Sequence, residues 1–172
     1  MADSTIHESW RALFNAQCLM VTNSKFLEFK MIVRRHMHTP EYCNSLVPDT
    51  LPGHLGIVIT HVGKTEVKAE LLIQKCLMAP NGFLHAGSIV TLANTSTGFG
   101  CTLNLPDGAI GFTTVELKSN HLGTARDGTI ESTANLVHSG KTTQVWDAVV
   151  THRETGKTIA LFRCTQMILY QK

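Results

Sequence analysis

Two tyrosines and two tryptophans in 172 residues leave little aromatic surface for stacking on bases. No basic stripe makes up for that shortage, and the formal net charge is only +2. Nucleic acid is therefore not an expected partner. The five cysteines (Cys18, Cys43, Cys76, Cys101, Cys164) are scattered, odd in number and without any C-x-x-C. Such a set fits small hydrophobes in a reducing cytosol better than a disulfide framework or a zinc site. No uncharged apolar run reaches about 18 residues, so no membrane-spanning helix is expected. The opening MADSTIHESW lacks the basic-then-apolar order of a secretion signal, and the expected location is cytoplasmic. Charge is scarce too, at 16% against 43% apolar residues. Part of the apolar surface should then be covered in a homo-oligomer.

What is present reads as one domain with a leading extension. Residues 5 to 37 carry apolar positions at helical spacing (Trp10, Leu13, Phe14, then Phe26, Phe29, Ile32, Val33), interrupted at Val21-Thr22-Asn23-Ser24. A polar connector, TPEYCNSLVPDTLP, runs from Thr39 to Pro52. Residues 1–50 are thus expected as a helical extension and connector, and 51–172 as the main domain. After Gly53 the period changes to two strand-like runs joined at Val62-Gly63-Lys64. Next comes NGFLHAGSIVTLANTSTG, a helix expected from about Leu84 to Thr97. It is apolar nearly all round, which implies that other structure wraps it. Four more strand-like runs follow: AIGFTTVELK, TIESTANLVHS, TTQVWDAVVTHR and KTIALFRCTQMILY. Two strands, a buried helix and four antiparallel strands make an α+β fold with the sheet curled around the helix.

Several motifs carry less than their spelling suggests. Ser139-Gly140-Lys141-Thr142 resembles the tail of a phosphate-binding loop, but its first glycine would fall at Asn135 and a strand follows instead of a helix. Asn94-Thr95-Ser96 fits a glycosylation pattern inside a helix expected to be buried. His36-x-His38 has no third ligand nearby, so no metal is expected. No G-x-S-x-G elbow occurs. The helix itself is the remaining candidate. Its N-terminus offers unpaired N–H groups and a positive dipole end for a developing oxyanion, and Ala86 and Gly87 are small enough to let a carbonyl approach. Asn94 stands roughly 13 Å further along by helical rise, too far from His85 for both to touch one reacting atom. A site there requires a substrate lying along the helix, or a second subunit.

The order strand, strand, buried helix, four strands, with Gly82-Phe83-Leu84-His85-Ala86-Gly87 at the helix entry, resembles the hotdog-fold acyl-CoA thioesterases of the phenylacetic-acid-degradation (PaaI) type. The resemblance runs from about Leu51 to Leu169. It also rests on Phe112-Thr113-Thr114-Val115-Glu116-Leu117, Val137-His138-Ser139-Gly140-Lys141 and Gly156-Lys157-Thr158-Ile159-Ala160. It implies a curved antiparallel sheet around a central helix and a homodimer or dimer of dimers with sites between subunits. No cofactor is implied beyond the coenzyme A of the substrate. The thioester carbonyl would meet the N–H of Ala86 or Gly87 beside His85, with Thr114 assisting from a facing strand. Coenzyme A would lie near His138, Ser139, Gly140, Lys141 and Thr142, and near Glu116 and His121.

The chain departs from that pattern where the chemistry is concentrated. The position of the family's catalytic carboxylate is Asn94, and a position that often holds a polar amide is Ala79. An amide cannot take a proton at neutral pH, although it can orient a water or bond a carbonyl. Two substitutes for the base are conceivable: Glu116, which by strand parity shares a face with Thr114 about 7 Å away, and His85. The expected activity is acyl-CoA thioester hydrolysis with Asn94 holding water or carbonyl. The rival readings are a non-hydrolytic acyl-CoA-binding protein and a hydratase, the latter lacking an evident His–carboxylate pair.

Overall fold

Buried residues alternate along the central strands, as a sheet with one covered face requires. In the computed structural model, residues 38–171 are described. The helices expected between residues 5 and 37, and His36 with them, lie outside the described residues. Two short helices come first, α1 (Pro40–Ser45) and α2 (Leu51–Leu55). The first lies within the expected connector (Thr39 to Pro52), and the second begins at its end and runs into the main domain. Proline sits in the first turn of each, and the Thr39 hydroxyl caps α1 by accepting the Tyr42 N–H. Cys43 of α1 already belongs to the core.

Six strands follow around one long helix: β1 (Ile57–Val62), β2 (Glu66–Leu72), α3 (Ala86–Leu103), β3 (Ala109–His121), β4 (Thr129–Ser139), β5 (Thr143–His152) and β6 (Thr158–Tyr170). They form a single antiparallel sheet in the order β1-β2-β4-β5-β6-β3. The α+β hotdog arrangement expected from the sequence is present. The inner face of the sheet presents Val67, Ala69 and Leu71 from β2, Ile130 and Ala134 from β4, Trp146, Ala148 and Val150 from β5, and Phe162 and Cys164 from β6. Against it α3 buries Ile89, Leu92, Ala93, Ser96, Thr97, Gly100 and Cys101.

The helix runs on to Leu103, past the end expected at Thr97. Gly98 and Gly100 lie within the added stretch, and glycine is unfavourable inside a helix, so tertiary packing must hold it there. A Cβ on Gly100 would stand 2.6 Å from the Trp146 ring, so the glycine is what lets the indole lie against the helix backbone. Trp146 donates from Nε1 to Gln144 Oε1 at 2.9 Å, and Gln144 Nε2 donates to the Asn104 carbonyl at the helix end at 2.8 Å. A buried serine pair, Ser96 and Ser132, joins α3 to β4 at 2.7 Å.

The two sheet edges are treated differently. At β1 the Asn44 side chain acts as a substitute strand, donating to the Ile59 carbonyl and accepting the Ile59 N–H, both at 2.8 Å. At β3 nothing among the described residues covers the 13-residue edge. None of its residues is buried, and Ile110, Val115 and Leu117 expose 66%, 56% and 43% of their surface. On the outer face Arg153 joins Glu131 and Glu70, and Arg163 grips Asp147 through two bonds of 2.5 and 2.7 Å.

The Trp146 contact generates a direct expectation. Gly100→Ala should destabilise the fold by about 1–3 kcal/mol through overpacking, even though alanine is favoured in a helix by about 1 kcal/mol. Urea unfolding of the two proteins would measure it, and an unchanged or higher midpoint would contradict the packing described.

Candidate active site

The approach to α3 is tied down on both sides. Gly82 takes φ +79, a left-handed conformation suited to glycine, and closes a turn in which Ala79 N–H donates to the Phe83 carbonyl at 2.7 Å. Leu77 O then accepts both His85 N–H and the Ser88 hydroxyl, at 3.0 and 3.1 Å. Leu84 N–H donates to Ala125 O at 2.9 Å, and the Arg126 guanidinium lies 4.2 Å from the Phe83 ring centre.

His85 is the N-cap of α3, an uncommon residue for that position. Its backbone is extended, and its Nδ1 accepts the Gly87 N–H at 2.9 Å. The glycine follows from the cap, because a Cβ at residue 87 would meet Nδ1 at 2.9 Å. A ring nitrogen that accepts carries no proton, so the hydrogen of the neutral imidazole sits on Nε2. His85 therefore presents a donor outward and is not arranged as a base. Of the two expected carbonyl-binding amides, Gly87 N–H is engaged by the cap and Ala86 N–H is open at the exposed helix end.

Asn94 lies further along α3, on a flank flanked by Gly87 two turns before and Gly98 one turn after. That flank faces β6 and β3. Thr97 accepts a 3.4 Å contact from Cys164 Sγ, and the Cβ position of Gly98 lies 3.7 Å from Phe112. Asn94 is half-buried, and its Oδ1 is shut away from solvent with no donor. Ala79, by contrast, brings only a methyl group.

The register of β3 corrects the expectation for Glu116. A bulge between Thr114 and Glu116 shifts the pairing: Thr114 lies opposite Gln166, Glu116 opposite Thr165, and Leu117 opposite Cys164. Gln166 and Cys164 are buried on the inner face, and Thr165 points the other way. Directly opposed residues share a face, so Thr114 is inward and Glu116 outward. There Glu116 adds to the field that, with the stronger Asp147 bonds, raises the Arg163 pKa. The extra bulge residue breaks the parity on which the shared face depended, and Glu116 cannot serve as a base beside Thr114.

The remaining residues divide between the two ends of the barrel-like sheet. His121 ends β3 opposite Ala160, at the end where α3 begins. The turn from His138 to Thr142 lies at the other end, beside Gln144 and the α3 C-terminus. That turn is held by Gly140 N–H to Thr143 O, and Lys141 O accepts the Tyr170 hydroxyl at 2.6 Å. One chain thus has His85, Ala86 and His121 at the same end of the sheet, and Asn94 and Thr114 further along the α3–β3 seam. It does not bring the two sets together. A surface hollow of about 940 Å³ lined by Val47, Pro48, Leu51, Ile57 and Val58 involves none of them. Among the described residues no three His, Cys, Asp or Glu side chains form a metal-binding group. No described helix is long and apolar enough to cross a membrane.

Known proteins share both the sequence pattern and the fold. The sequence model of the thioesterase superfamily matches residues 81–159, which span α3 and strands β3 to β5. A 1,4-dihydroxy-2-naphthoyl-CoA hydrolase of Listeria monocytogenes is 34% identical over 111 residues, 64% of this chain and 89% of its own. A proofreading thioesterase, EntH, of Cronobacter sakazakii is 30% identical over 81% of this chain and 99% of its own. The chain belongs to the thioesterase superfamily. Among solved structures, a Haemophilus influenzae thioesterase superposes with a TM-score of 0.72 at 29% identity, over 77% of this chain and 91% of that one. The Escherichia coli PaaI protein, at 21% identity and a TM-score of 0.69, shares the fold over 78% of this chain and 94% of its own.

For a thioesterase-superfamily member, two groups near the helix escaped the sequence reading. Gln144 and Gln166 face each other across β5 and β6, fully buried. The signal was available: each interrupts an alternation of inward apolar residues with an amide at an inward position. Two thiols, Cys101 and Cys164, lie in the same region, but burial pushes Cys101 up to about 12 and also raises Cys164. Cys43 is likewise raised by burial, to about 11. None is a thiolate at neutral pH, so none is an activated nucleophile. Alkylation of the folded protein at pH 8 should therefore label exposed Cys76 and spare Cys43, Cys101 and Cys164 until denaturant is added. Mass spectrometry of the labelled peptides checks this.

Proposed function

We propose that the protein hydrolyses acyl-CoA thioesters to the free acid and coenzyme A, at sites formed between two copies of the chain. The observation that carries this is the open start of α3, where Ala86 N–H and His85 Nε2–H are both left without a partner by the Nδ1 cap on Gly87. Two preorganised donors beside a helix N-terminus suit a carbonyl that gains negative charge as water adds. The 34% identical relative, named as a hydrolase of an acyl-CoA, supports coenzyme A as the carrier.

The uncovered β3 edge supports the dimer. An exposed strand of 13 residues with apolar side chains pairs readily with another strand. Antiparallel pairing of two β3 edges about a two-fold axis reverses one chain against the other. The start of one α3 then meets the Asn94–Thr114 seam of the second copy, and His121 meets the second copy's His138–Thr142 turn. The thioester carbonyl rests on Ala86 and His85 of one chain. The Thr114 hydroxyl of the other accepts a hydrogen bond from the attacking water beside the Asn94 amide, and coenzyme A follows the His121 and Lys141 side. With Glu116 on the outer face and His85 a donor, no carboxylate in this set takes the water proton, which passes to the coenzyme A thiolate as the C–S bond breaks, so that coenzyme A leaves as the free thiol. Loss of a general base costs about 10²–10⁴ in rate, so turnover is slow.

A second reading, acyl-CoA binding without hydrolysis, is favoured by that same absence of a carboxylate on α3. A panel of short, aromatic and long acyl-CoAs separates the two. Release of free thiol above background on any of them supports hydrolysis, whereas tight binding with the thioester intact overnight supports the alternative. Asn94→Asp should raise the hydrolytic rate at least about tenfold by restoring a base. An unchanged or lower rate in a folded variant would show that the site works around the amide.

The shared site has its own test. His85→Ala and Asn94→Ala proteins, each nearly inactive, are denatured together and refolded. Statistical pairing should restore roughly a quarter of the wild-type rate, because half the dimers hold one intact site of two. No recovery would place both residues in a site made by a single chain.

A further inference from the structure

Gln166 is completely buried, yet neither its Oε1 nor its Nε2 has a partner. Leucine or methionine would fill a similar volume without leaving an amide unpaired away from water. Its neighbour Gln144, equally buried, is in the opposite condition. Gln144 uses Nε2 on the Asn104 carbonyl and Oε1 on the Trp146 indole N–H. The strand registers set Gln144, Gln166 and Thr114 in one row across β5, β6 and β3, all on the inner face. On one side of Gln166 the polar groups are thus committed to other bonds. On the other side stands Thr114, exposed on the open strand. Opposed residues in antiparallel strands have Cβ atoms about 4.5–5.5 Å apart, a gap that a glutamine amide spans to a hydroxyl.

We propose that Gln166 is a positioning residue for Thr114. Its Oε1, unpartnered in the single chain, takes up the Thr114 O–H when the site assembles, which turns the remaining lone pairs of Oγ1 toward the seam. Thr114 then meets the attacking water as an acceptor only, beside Asn94, and the two together fix the water where a carboxylate is missing. β6 is paired on both sides whereas β3 is an edge, so Gln166 holds an otherwise free hydroxyl from a rigid base. The assignment deepens the hydrolytic reading and rests on it.

The test uses the full chain with Gln166→Leu, Gln166→Met, Thr114→Val and the double variant Gln166→Leu/Thr114→Val. For each, kcat and KM are measured on the best acyl-CoA of the panel, together with the thermal midpoint. Gln166→Leu and Gln166→Met should leave the midpoint unchanged or raised, because one bond to an edge-strand hydroxyl offsets little of the cost of burying the amide, while kcat falls about tenfold at constant KM. The double variant should be no slower than Thr114→Val alone, since Gln166 acts only through that hydroxyl. Wild-type kcat in both Gln166 variants overturns the proposal. So do additive losses in the double variant, or a lowered midpoint in both Gln166 variants, which would mark the amide as a structural group. If Thr114→Val slows the enzyme and the Gln166 variants do not, only this proposal fails. If the wild-type chain turns over no acyl-CoA, the hydrolytic reading fails and this inference with it.

Discussion

The contact between the Trp146 indole and the backbone of α3 at Gly100 sets the depth and rotation of the central helix. Once the outer edge of that large ring packs against the helix at Gly100, few rotations about the helix axis remain. Ser96 then meets Ser132, Thr97 meets Cys164, and Gly98 approaches Phe112. Each is a small residue, and each lets helix and sheet approach more closely than larger side chains would allow. The same rotation leaves the Gly87–Asn94–Gly98 flank turned toward the open strand β3. The packing of the core thus decides which way the candidate site faces.

Seen from the edges of the sheet, the molecule is finished on one side and unfinished on the other. Asn44 satisfies the backbone of β1 with a side chain, while β3 offers its whole length to a further strand. The candidate residues divide along the same line. In the proposed site, the carbonyl-binding donors belong to the start of α3, and the residues that hold water, with the His138–Thr142 turn, lie toward its other end. The proposed two-fold axis beside β3 would unite them, and it would cover the open edge by the same operation.

The chemistry left to such a site is polarisation and orientation. His85 spends Nδ1 on capping its own helix, and this makes Nε2 a donor. Asn94 supplies an acceptor with no basicity. The bulge in β3 removes Glu116 from the inner face, and burial removes the nearby thiols from nucleophilic chemistry. Catalysis by held donors and acceptors is weaker than catalysis with a base, but it needs the same rigid frame. That requirement fits a candidate site built on a helix end and paired strands more than on loops.

Much of this was legible in the chain itself. Period-two alternation marked the strands, the turn dipeptides marked their joints, and the G-x-L-H-x-G entry marked both the helix start and the family. The amide at residue 94 was visible as a departure from the family pattern. What the linear pattern could not carry was anything decided across strands. Residue parity placed Glu116 beside Thr114 until one unpaired residue in β3 reversed it, and an unpaired residue has no local signature in FTTVEL. The part of α3 beyond Thr97 was not legible because what holds Gly100 in the helix, a tryptophan 46 positions later, is distant in sequence. Gln144 and Gln166 likewise became notable only when register put them opposite each other. Local propensity and hydrophobic period belong to neighbours in sequence, so sequence alone determined the elements and their order. Register, face and burial belong to neighbours in space, and only the tertiary structure decided those.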